Sequence, residues 1–223
     1  MSTAPVALGS VMIAREPDRD CPLCPRLKSY RDHWRTEEPA WHNAPVPTFG
    51  DRDGRLLVVG LAPGLRGANR TGRPFTGDFA GDLLYRTMID FGFATGSYQA
   101  RPDDRLTLVD AAITNAVRCV PPENRPTPAE SRTCRVFLAA TITGMPRLAA
   151  VLALGRIAHD SVAAALGLGR GAAPFAHGAV HAAKVGLSLY DSYHCSRYNT
   201  NTGVLSEAMF RQVFAVIRNR LSP

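Results

Sequence analysis

Four short, nearly continuous apolar segments recur along the chain and predict buried β-strands. They cover Arg55 to Gly60, Leu106 to Val117, Leu148 to Leu154 and Gly186 to Tyr193. Apolar runs of this length are typical of strands that are covered on both faces, as in a parallel sheet. We therefore expect these segments to form the interior of the molecule.

Other segments carry apolar residues at three- and four-residue spacings, which predicts amphipathic helices. One helical face combines Phe79, Leu83, Leu84, Met88 and Phe91. Further helices are predicted over residues 157–168 and over about 204–220, the latter with an apolar face of Leu205, Met209, Phe210, Val213, Phe214 and Ile217. Strands that alternate with helices favour a parallel sheet covered on both faces, with ligands bound at the carboxyl ends of the strands.

The helix predicted over residues 127–142 has a clear start. Thr127 suits the N-cap, Pro128 the first turn, and Glu130 the third position of a capping box. Cys134 would then lie on the second turn of this helix.

Length, composition and charge narrow the class of protein. A chain of 223 residues fits one domain over residues 1–223, and no apolar run approaches the roughly 18 residues of a membrane span. The mildly apolar stretch Pro5 to Ala14 has no preceding positive charge, so we expect no signal peptide, no membrane association and a cytoplasmic protein. A net charge of +7 suits an anionic partner such as nucleic acid.

Five cysteines in a cytoplasmic protein suggest metal binding, catalysis or core packing rather than disulfides. Cys21 and Cys24 form a C-x2-C pair, Cys119 follows a predicted strand and Cys134 lies on a predicted helix. Four thiolates suit an iron-sulfur cluster and zinc alike, and buried reduced cysteines without metal are the third reading. Cys195 is adjacent to His194, but neighbours on an extended segment point to opposite sides, which argues against a thiol-imidazole pair.

A glycine-rich loop, GLAPGLRGANRTGRPFTGD, runs from Gly60 to Asp78 between a strand and a helix. It has neither the P-loop nor the dinucleotide-binding pattern. Arg66, Arg70 and Arg73 suit phosphate contacts and Phe75 offers a face for a base. The alternatives are a solvated basic loop and a core phenylalanine.

Two further segments end predicted strands with polar residues. ITNAVRC carries Asn115, whose amide can donate to and accept from a base edge. SYHCSRYNTNTG carries His194 and leads into the last helix. Taken singly, Asn115 is equally typical of a turn, and His194 of an ordinary hydrogen-bonded histidine.

Together, these segments and the four cysteines resemble the iron-sulfur family 5 (type B) of the uracil-DNA glycosylase superfamily. GLAPG followed by NRTGRPFTGD, the strand-end NAVRC and the His-x-Ser-x-x-Asn-x-x-Thr-Gly segment occur in the family's order over residues 21–220. The resemblance implies a three-layer α/β/α sandwich around a central, mainly parallel four-stranded sheet. It also implies a 4Fe-4S cluster held by Cys21, Cys24, Cys119 and Cys134.

The implied activity is hydrolysis of the bond between sugar and base for uracil, and for other deaminated bases such as hypoxanthine, in double-stranded and single-stranded DNA. The implied enzyme is a monomer that flips the base out and does not cleave the strand. The implied catalytic residues are Asp78, His194 and Asn115. The implied base-binding residues are Gly60, Leu61, Ala62, Phe75, Asn115 and His194. The implied DNA contacts are Arg66, Arg70, Arg73, Ser196, Arg197, Tyr198 and Asn199.

Two positions distinguish this sequence from parts of the superfamily. Ala62 stands where other families carry an Asp or Asn that positions water, which leaves Asp78 as the acidic candidate. Cys195 replaces the proline of the usual His-Pro-Ser, while His194 and Ser196 keep their places. The rival hypotheses are a catalytically inactive iron-sulfur DNA-binding protein and a zinc-stabilised hydrolase of another substrate.

Overall fold

A computed structural model describes residues 16–169 and 171–222 of the chain. The stretch Pro5 to Ala14 lies outside the described residues. The helices are α1 (Pro25–Glu37), α2 (Ala68–Thr71), α3 (Phe79–Asp90), α4 (Pro128–Thr143), α5 (Arg156–Ala165), α6 (Arg197–Asn201) and α7 (Glu207–Leu221), and Pro122–Asn124 form a 3-10 turn. The strands are β1 (Phe49–Gly50), β2 (Leu56–Gly60), β3 (Ala94–Thr95), β4 (Thr107–Leu108), β5 (Ala111–Asn115), β6 (Ala150–Leu154), β7 (Val180–Lys184) and β8 (Leu187–Ser192).

The main sheet is mixed, with the strand order β1-β5-β2-β6-β8-β7. Its four central strands, β5, β2, β6 and β8, are parallel, while β1 and β7 pair antiparallel at the two edges. A mainly parallel sheet is therefore confirmed, but it has six strands rather than four. The edge strands lack an apolar run: β1 has two residues, and residues along β7 alternate between exposed and half-buried.

Helices cover both faces of the sheet, as the alternation of strands and helices predicts. Along β2, Leu56 and Val58 pack into the core beneath α3 and α7, whereas Leu57 and Val59 pack against α4 and α5. Successive side chains of a strand point to opposite faces, so an apolar run supplies both cores. The three-layer α/β/α sandwich is confirmed.

The predicted strand Leu106 to Val117 is two strands. Asp110 takes a left-handed conformation (φ 54°), and its carboxylate accepts a hydrogen bond from Arg55 Nε at 2.7 Å. The chain therefore breaks at this residue: β4 pairs with β3 in a separate two-stranded sheet, and β5 enters the main sheet.

The predicted helices are present, although α5 ends at Ala165 and α7 begins at Glu207. Most of their apolar residues are buried, whereas Ile157 is exposed. On α7, the side chains of Phe210, Val213, Phe214 and Ile217 are buried in the core. The capping box of α4 is formed in full, because Thr127 Oγ1 accepts from the Glu130 amide and Glu130 Oε2 accepts from the Thr127 amide. None of the described helices is long and apolar enough to cross a bilayer.

Candidate active site and cysteine centre

The carboxyl ends of the central strands open onto a cleft of about 620 Å³. Gly60 at the end of β2 pairs in register with Asn115 at the end of β5, and the segment after β8 supplies His194. The cleft is lined by Leu61, Ala62, Pro63, Gly64, Leu65, Arg66, Gly67, Ala68, Phe75, Gly77, Asp78, Phe79, Ala80, Asn115, Asn124, His194, Ser196 and Arg197. Nine of the fourteen residues implied for catalysis, base binding and DNA contact therefore share one cavity.

One end of the cleft combines an aromatic face with an amide. The Phe75 ring is stacked near that of His194, with centroids 5.9 Å apart and planes at 27°. A Cβ on Gly60 would lie 2.5 Å from both Asn115 Oδ1 and the Phe75 ring. Only glycine permits this close approach, so the end of β2 holds the amide and the aromatic ring together.

Asp78 lies at the start of α3 and faces the cleft. It occupies the N-cap position, but its side chain makes no cap hydrogen bond. Its buried Oδ1 has no hydrogen-bond partner among the described residues. Burial raises the pKa of this carboxyl, against the opposing effect of the nearby Ala80 and Gly81 amides. A desolvated carboxylate with a free acceptor is suited to accept a proton or orient a water molecule.

The glycine-rich loop passes directly over this carboxylate. A Cβ on Gly67 would lie 2.6 Å from Asp78 Oδ2, closer than a side-chain atom can stand. The loop therefore needs a glycine at this position, where its backbone lies directly against the Asp78 side chain. Ala62 lines the same cleft and contributes only a methyl group.

His194 lies in the cleft, and Cys195 points the other way, as adjacent residues on an extended segment should. Burial lowers the pKa of His194 to about 4, so the imidazole is neutral at neutral pH. The Cys195 thiol is fully buried in the core and lies 3.5 Å from the carbonyl oxygen of Ala80. Burial raises the pKa of this thiol, which keeps it protonated and inert.

The segment after His194 forms the rim of the cleft. Ser196 caps α6, because its Oγ accepts from the Asn199 amide, and Asn199 Nδ2 donates to the His194 carbonyl at 2.8 Å. Arg197 is exposed, and its guanidinium lies 5.1 Å from the centre of the Phe79 ring. Tyr198 is 74% exposed. The rim thus presents a cation and an aromatic ring to solvent, held by Ser196 and Asn199.

The arginines of the glycine-rich loop have separate environments. Arg66 and Arg70 are exposed, and Arg66 lines the cleft. Arg73 is buried: its guanidinium makes two 2.7 Å bonds to the Asp104 carboxylate, and its Nε donates to Thr76 Oγ1. The prediction that Arg73 contacts phosphate is therefore wrong, because its guanidinium is already committed to a buried ion pair.

Phe79 and Asn124 line the cleft although sequence reasoning did not select them. Phe79 directly follows Asp78, and that adjacency was the available signal. Asn124 comes from the 3-10 turn after β5 and has a left-handed backbone (φ 55°). Nothing in its local sequence distinguishes it from other residues of a proline-rich loop.

The four cysteines of the predicted ligand set are brought together in a separate cavity. Cys21, Cys24, Cys119 and Cys134 line one cavity with Leu27, Val117 and Phe137. Burial, together with the neighbouring cysteines, raises the pKa of Cys24 to about 11 and that of Cys134 to about 12. Without a metal these buried thiols would be protonated.

Two buried arginines accompany the sulfur atoms. Arg31 Nη1 lies 3.4 Å from Cys119 Sγ, and the Arg118 amide lies 3.3 Å from Cys134 Sγ. Within the described part of the chain, the Nε atoms of both arginines have no hydrogen-bond partner. The Arg118 guanidinium is already paired with Glu16 at 2.8 Å. Arg31 bonds to a thiol and a backbone carbonyl, so it is the buried cation that favours an anionic group in this cavity.

A further polar group lies behind the His194 segment. The fully buried Asp191, near the end of β8, accepts from His159 at 2.7 Å and faces His181 Nε2 at 3.2 Å. His159 also bonds to the Ala173 carbonyl at 2.8 Å. These contacts join α5, β7 and β8 three residues before His194, and so fix the strand end that carries the catalytic candidate.

Comparisons with known proteins identify the family of the chain. The model of the uracil DNA glycosylase superfamily matches residues 47–218. A "Type-5 uracil-DNA glycosylase" of Thermus thermophilus is 44% identical over 199 residues, which cover 86% of this chain and 90% of the relative.

Two other relatives bear the same description. That of Pyrobaculum aerophilum is 40% identical over 87% of this chain and 86% of its own length. That of Mycobacterium bovis is 38% identical over 87% of this chain and 75% of its own length. The superfamily match and the extent of these similarities show that the chain belongs to the type-5 family of the uracil DNA glycosylase superfamily.

Proposed function

We propose that this protein is a monofunctional DNA-repair glycosylase that removes uracil, and also hypoxanthine, from DNA by hydrolysing the bond between base and sugar. The observation that carries the proposal is one cleft in which a carboxylate with a free Oδ1 and a neutral imidazole lie beside an aromatic face and an amide. The type-5 uracil-DNA glycosylase relatives point to the same substrate.

The target base must leave the DNA stack to reach this cleft. Extrusion costs a few kcal/mol, and less for a mispaired base, so uracil opposite guanine is favoured over uracil opposite adenine. In the cleft, the flipped base stacks on Phe75, and the Asn115 amide bonds to its polar edge. Backbone amides of Gly60, Leu61 and Ala62 complete the contacts with the base.

Asp78 acts on the sugar side of the bond. Cleavage builds positive charge on the sugar, and a carboxylate near that charge stabilises it. The free Oδ1 accepts a hydrogen bond from the attacking water, and the raised pKa makes Asp78 a stronger base than an exposed aspartate. Ala62 offers no competing acceptor, so Asp78 is the acidic residue of this mechanism.

His194 acts on the base side of the bond. The departing base gains negative charge on its oxygen, and a neutral imidazole donates one N–H to that oxygen. The low pKa of His194 keeps the imidazole neutral through the physiological range. The described lining of the cleft includes no lysine. Without a lysine amine to form a Schiff base, the product is an abasic site in an intact strand.

The rim of the cleft holds the DNA. The exposed guanidinium groups of Arg66, Arg70 and Arg197 neutralise backbone phosphates. Ser196, Tyr198 and Asn199 form the segment that approaches the flipped nucleotide.

A 4Fe-4S cluster held by Cys21, Cys24, Cys119 and Cys134 fits the cysteine centre. Four thiolates and an anionic cluster would neutralise Arg31, which lines this cavity and bonds to Cys119 Sγ and the Cys21 carbonyl. Bound there, the cluster supplies a covalent tie between the loop before α1, the end of β5 and α4. Its position outside the cleft favours a structural role.

The spacing of the sulfur atoms also favours a cluster over zinc. Four sulfurs bonded to one zinc at about 2.3 Å stand about 3.8 Å apart. Among the described residues, no three of the four cysteine sulfurs lie within 4.8 Å of one another. Ligands to separate irons of a cluster stand further apart, so the wider spacing suits the cluster.

The direct test is incubation of the purified protein with an oligonucleotide that contains one uracil, beside a control with thymine at that position. We expect release of free uracil and a strand that breaks only after alkali treatment. Binding without release would identify an inactive DNA-binding protein and overturn the proposal. Strand cleavage without alkali would overturn the monofunctional assignment.

A further inference from the structure

A second cleft, of about 540 Å³, lies beside the glycine-rich loop and shares only Arg70 with the DNA contacts proposed for the active-site cleft. Its walls come from the segment before α1, the loop after α1, the end of α2 and the loop after β3. The lining residues are Arg19, Ala40, Trp41, His42, Arg70, Thr71, Ala100, Arg101, Pro102 and Asp103.

The charge of this cleft is positive. Arg19, Arg70 and Arg101 are exposed, and Asp103 is the acidic residue among the lining. Asp103 lies 3.6 Å from Arg101 in a pair in which both side chains are mostly exposed, an arrangement that neutralises little. Burial lowers the pKa of His42, so we do not count it as a cation.

An aromatic platform lies in the same cleft. The Trp41 indole stacks on that of Trp34, with centroids 5.7 Å apart and planes at 8°. Trp34 in turn meets Tyr30 and His33 edge to face. These contacts hold the Trp41 ring in one orientation, so the Trp41 side chain loses little conformational entropy when a base stacks on it.

The second cleft is joined to the active-site cleft through Arg70. The His42 amide donates to the Arg70 carbonyl at 3.0 Å, which fixes the platform to the glycine-rich loop. On the other side, Arg70 Nη2 lies 3.0 Å from the position that a Cβ of Gly77 would occupy, and Gly77 lines the active-site cleft. One arginine therefore stands between the two cavities.

We propose that the second cleft binds the single-stranded flank of the substrate strand, with Arg70 and Arg101 on phosphates and an unpaired base on Trp41. Arginines that follow a backbone beside an aromatic ring are the usual means of binding single strands without sequence preference. Paired bases of a duplex cannot stack on Trp41. The cleft therefore favours lesions in unpaired DNA. This inference rests on the proposed function.

Intrinsic fluorescence gives a direct test of occupancy, because the chain has two tryptophans, Trp34 and Trp41, and they form this stack. The cluster-loaded protein is titrated with a thymine oligonucleotide without uracil, in single-stranded form and as a duplex. We expect the single strand to quench the emission and the duplex to leave it nearly unchanged. Equal quenching by both forms, or by neither, would overturn the proposal.

Turnover separates the second cleft from the active site. The substrates are a minimal uracil oligonucleotide and the same one extended by about six thymidines on its 5′ or its 3′ side. For the wild type, one extension should raise kcat/KM by about fivefold to a hundredfold, as expected for stacking of one base. Trp41→Ala should lose that gain and keep the wild-type kcat/KM on the minimal substrate, whereas Trp41→Phe should retain most of the gain.

Arg101→Ala is a second variant that leaves the aromatic stack intact and should reduce the gain. Arg220→Ala is the matched control, because Arg220 is exposed and lines neither cleft, and this variant should keep the full gain. The proposal is overturned if neither extension helps the wild type, or if Trp41→Ala keeps the full gain. Failure of the wild type to release uracil from every substrate would instead contradict the proposed function.

Discussion

At the scale of single residues, Asp78 shows how a catalytic candidate differs from a structural one. It stands at the N-cap of α3 without making the cap hydrogen bond, and its carboxylate is desolvated. The raised pKa means that the charged carboxylate destabilises the folded state at any pH above it. Function at this position is therefore expected to reduce stability.

Asp78→Asn should consequently raise the melting temperature at pH 7. The gain should shrink as the pH falls through the raised pKa towards 3.8 and disappear below that value, where the carboxyl is protonated in folded and unfolded protein alike. Thermal melts at several pH values measure this, with the exposed Asp82→Asn as a control on the same helix. A less stable Asp78→Asn at pH 7 would show that Asp78 mainly stabilises the fold.

The pH dependence of base release separates Asp78 from His194. With the pKa of His194 near 4, the imidazole stays neutral until the pH approaches that value. We expect protonation of Asp78, whose pKa is raised by burial, to contribute an acid limb to the rate profile. The limb should persist in the slow His194→Ala variant and vanish in Asp78→Asn, as measured by single-turnover release. An acid limb that disappears only in His194→Ala would contradict these assignments.

Arg73 marks a limit of sequence reasoning at this scale. Arg66, Arg70 and Arg73 lie within eight residues of one glycine-rich loop, and their local sequences do not separate them. The difference comes from Asp104, 31 residues later, which pairs with Arg73 in the folded chain. A partner so distant in sequence has no local signal.

At the scale of elements, the cysteine centre joins α1, α4 and the end of β5. Cys134→Ala should lose most of the roughly four irons per chain and lower the melting temperature, because ligand binding contributes folding free energy. Iron analysis and melting under anaerobic conditions check this. Cys195→Ser is the matched control: that cysteine lies in another core and its loss should leave the iron content unchanged. Full iron in Cys134→Ala would refute the ligand assignment.

Helix α1 was not anticipated from the pattern of apolar residues. Only Leu27 and Arg31 are buried in its thirteen residues, so no apolar stripe exists to be recognised. Its position depends on Arg31, which bonds to Cys119 and to the Cys21 carbonyl, and on the stack of Trp34 with Trp41. By contrast, α4 and α7 carry their caps and apolar faces in the local sequence, and both were predictable to within a few residues.

At the scale of the whole molecule, the sheet and its two helical layers follow from apolar runs because burial on both faces requires them. The edge strands β1 and β7 do not follow from apolar runs, because an edge strand need not be buried on both faces. The three loop segments that form the cleft were recognisable as motifs, and their convergence follows from the parallel order of β2, β5 and β8. The second cleft had no such signal, because its residues come from four separate segments.

The basic surface predicts that DNA affinity falls with salt. Each phosphate neutralised by an arginine contributes about 0.9 to the slope of log K against log salt concentration. Arg197→Ala should reduce the slope by about that amount and weaken undamaged and uracil-containing duplexes alike. Fluorescence anisotropy over a salt series measures both, with Arg220→Ala as the control. An unchanged slope in Arg197→Ala would show that Arg197 does not neutralise a DNA phosphate.

Single-turnover release of uracil by Asp78→Asn tests most directly whether Asp78 and His194 cleave the base from its sugar within one cleft. The amide keeps the size of the side chain but removes the charge that stabilises the cationic sugar. Provided that the variant remains folded and binds DNA as the wild type does, we expect release to slow by about a hundredfold or more. Release at the wild-type rate would show that the charge of Asp78 takes no part in cleavage.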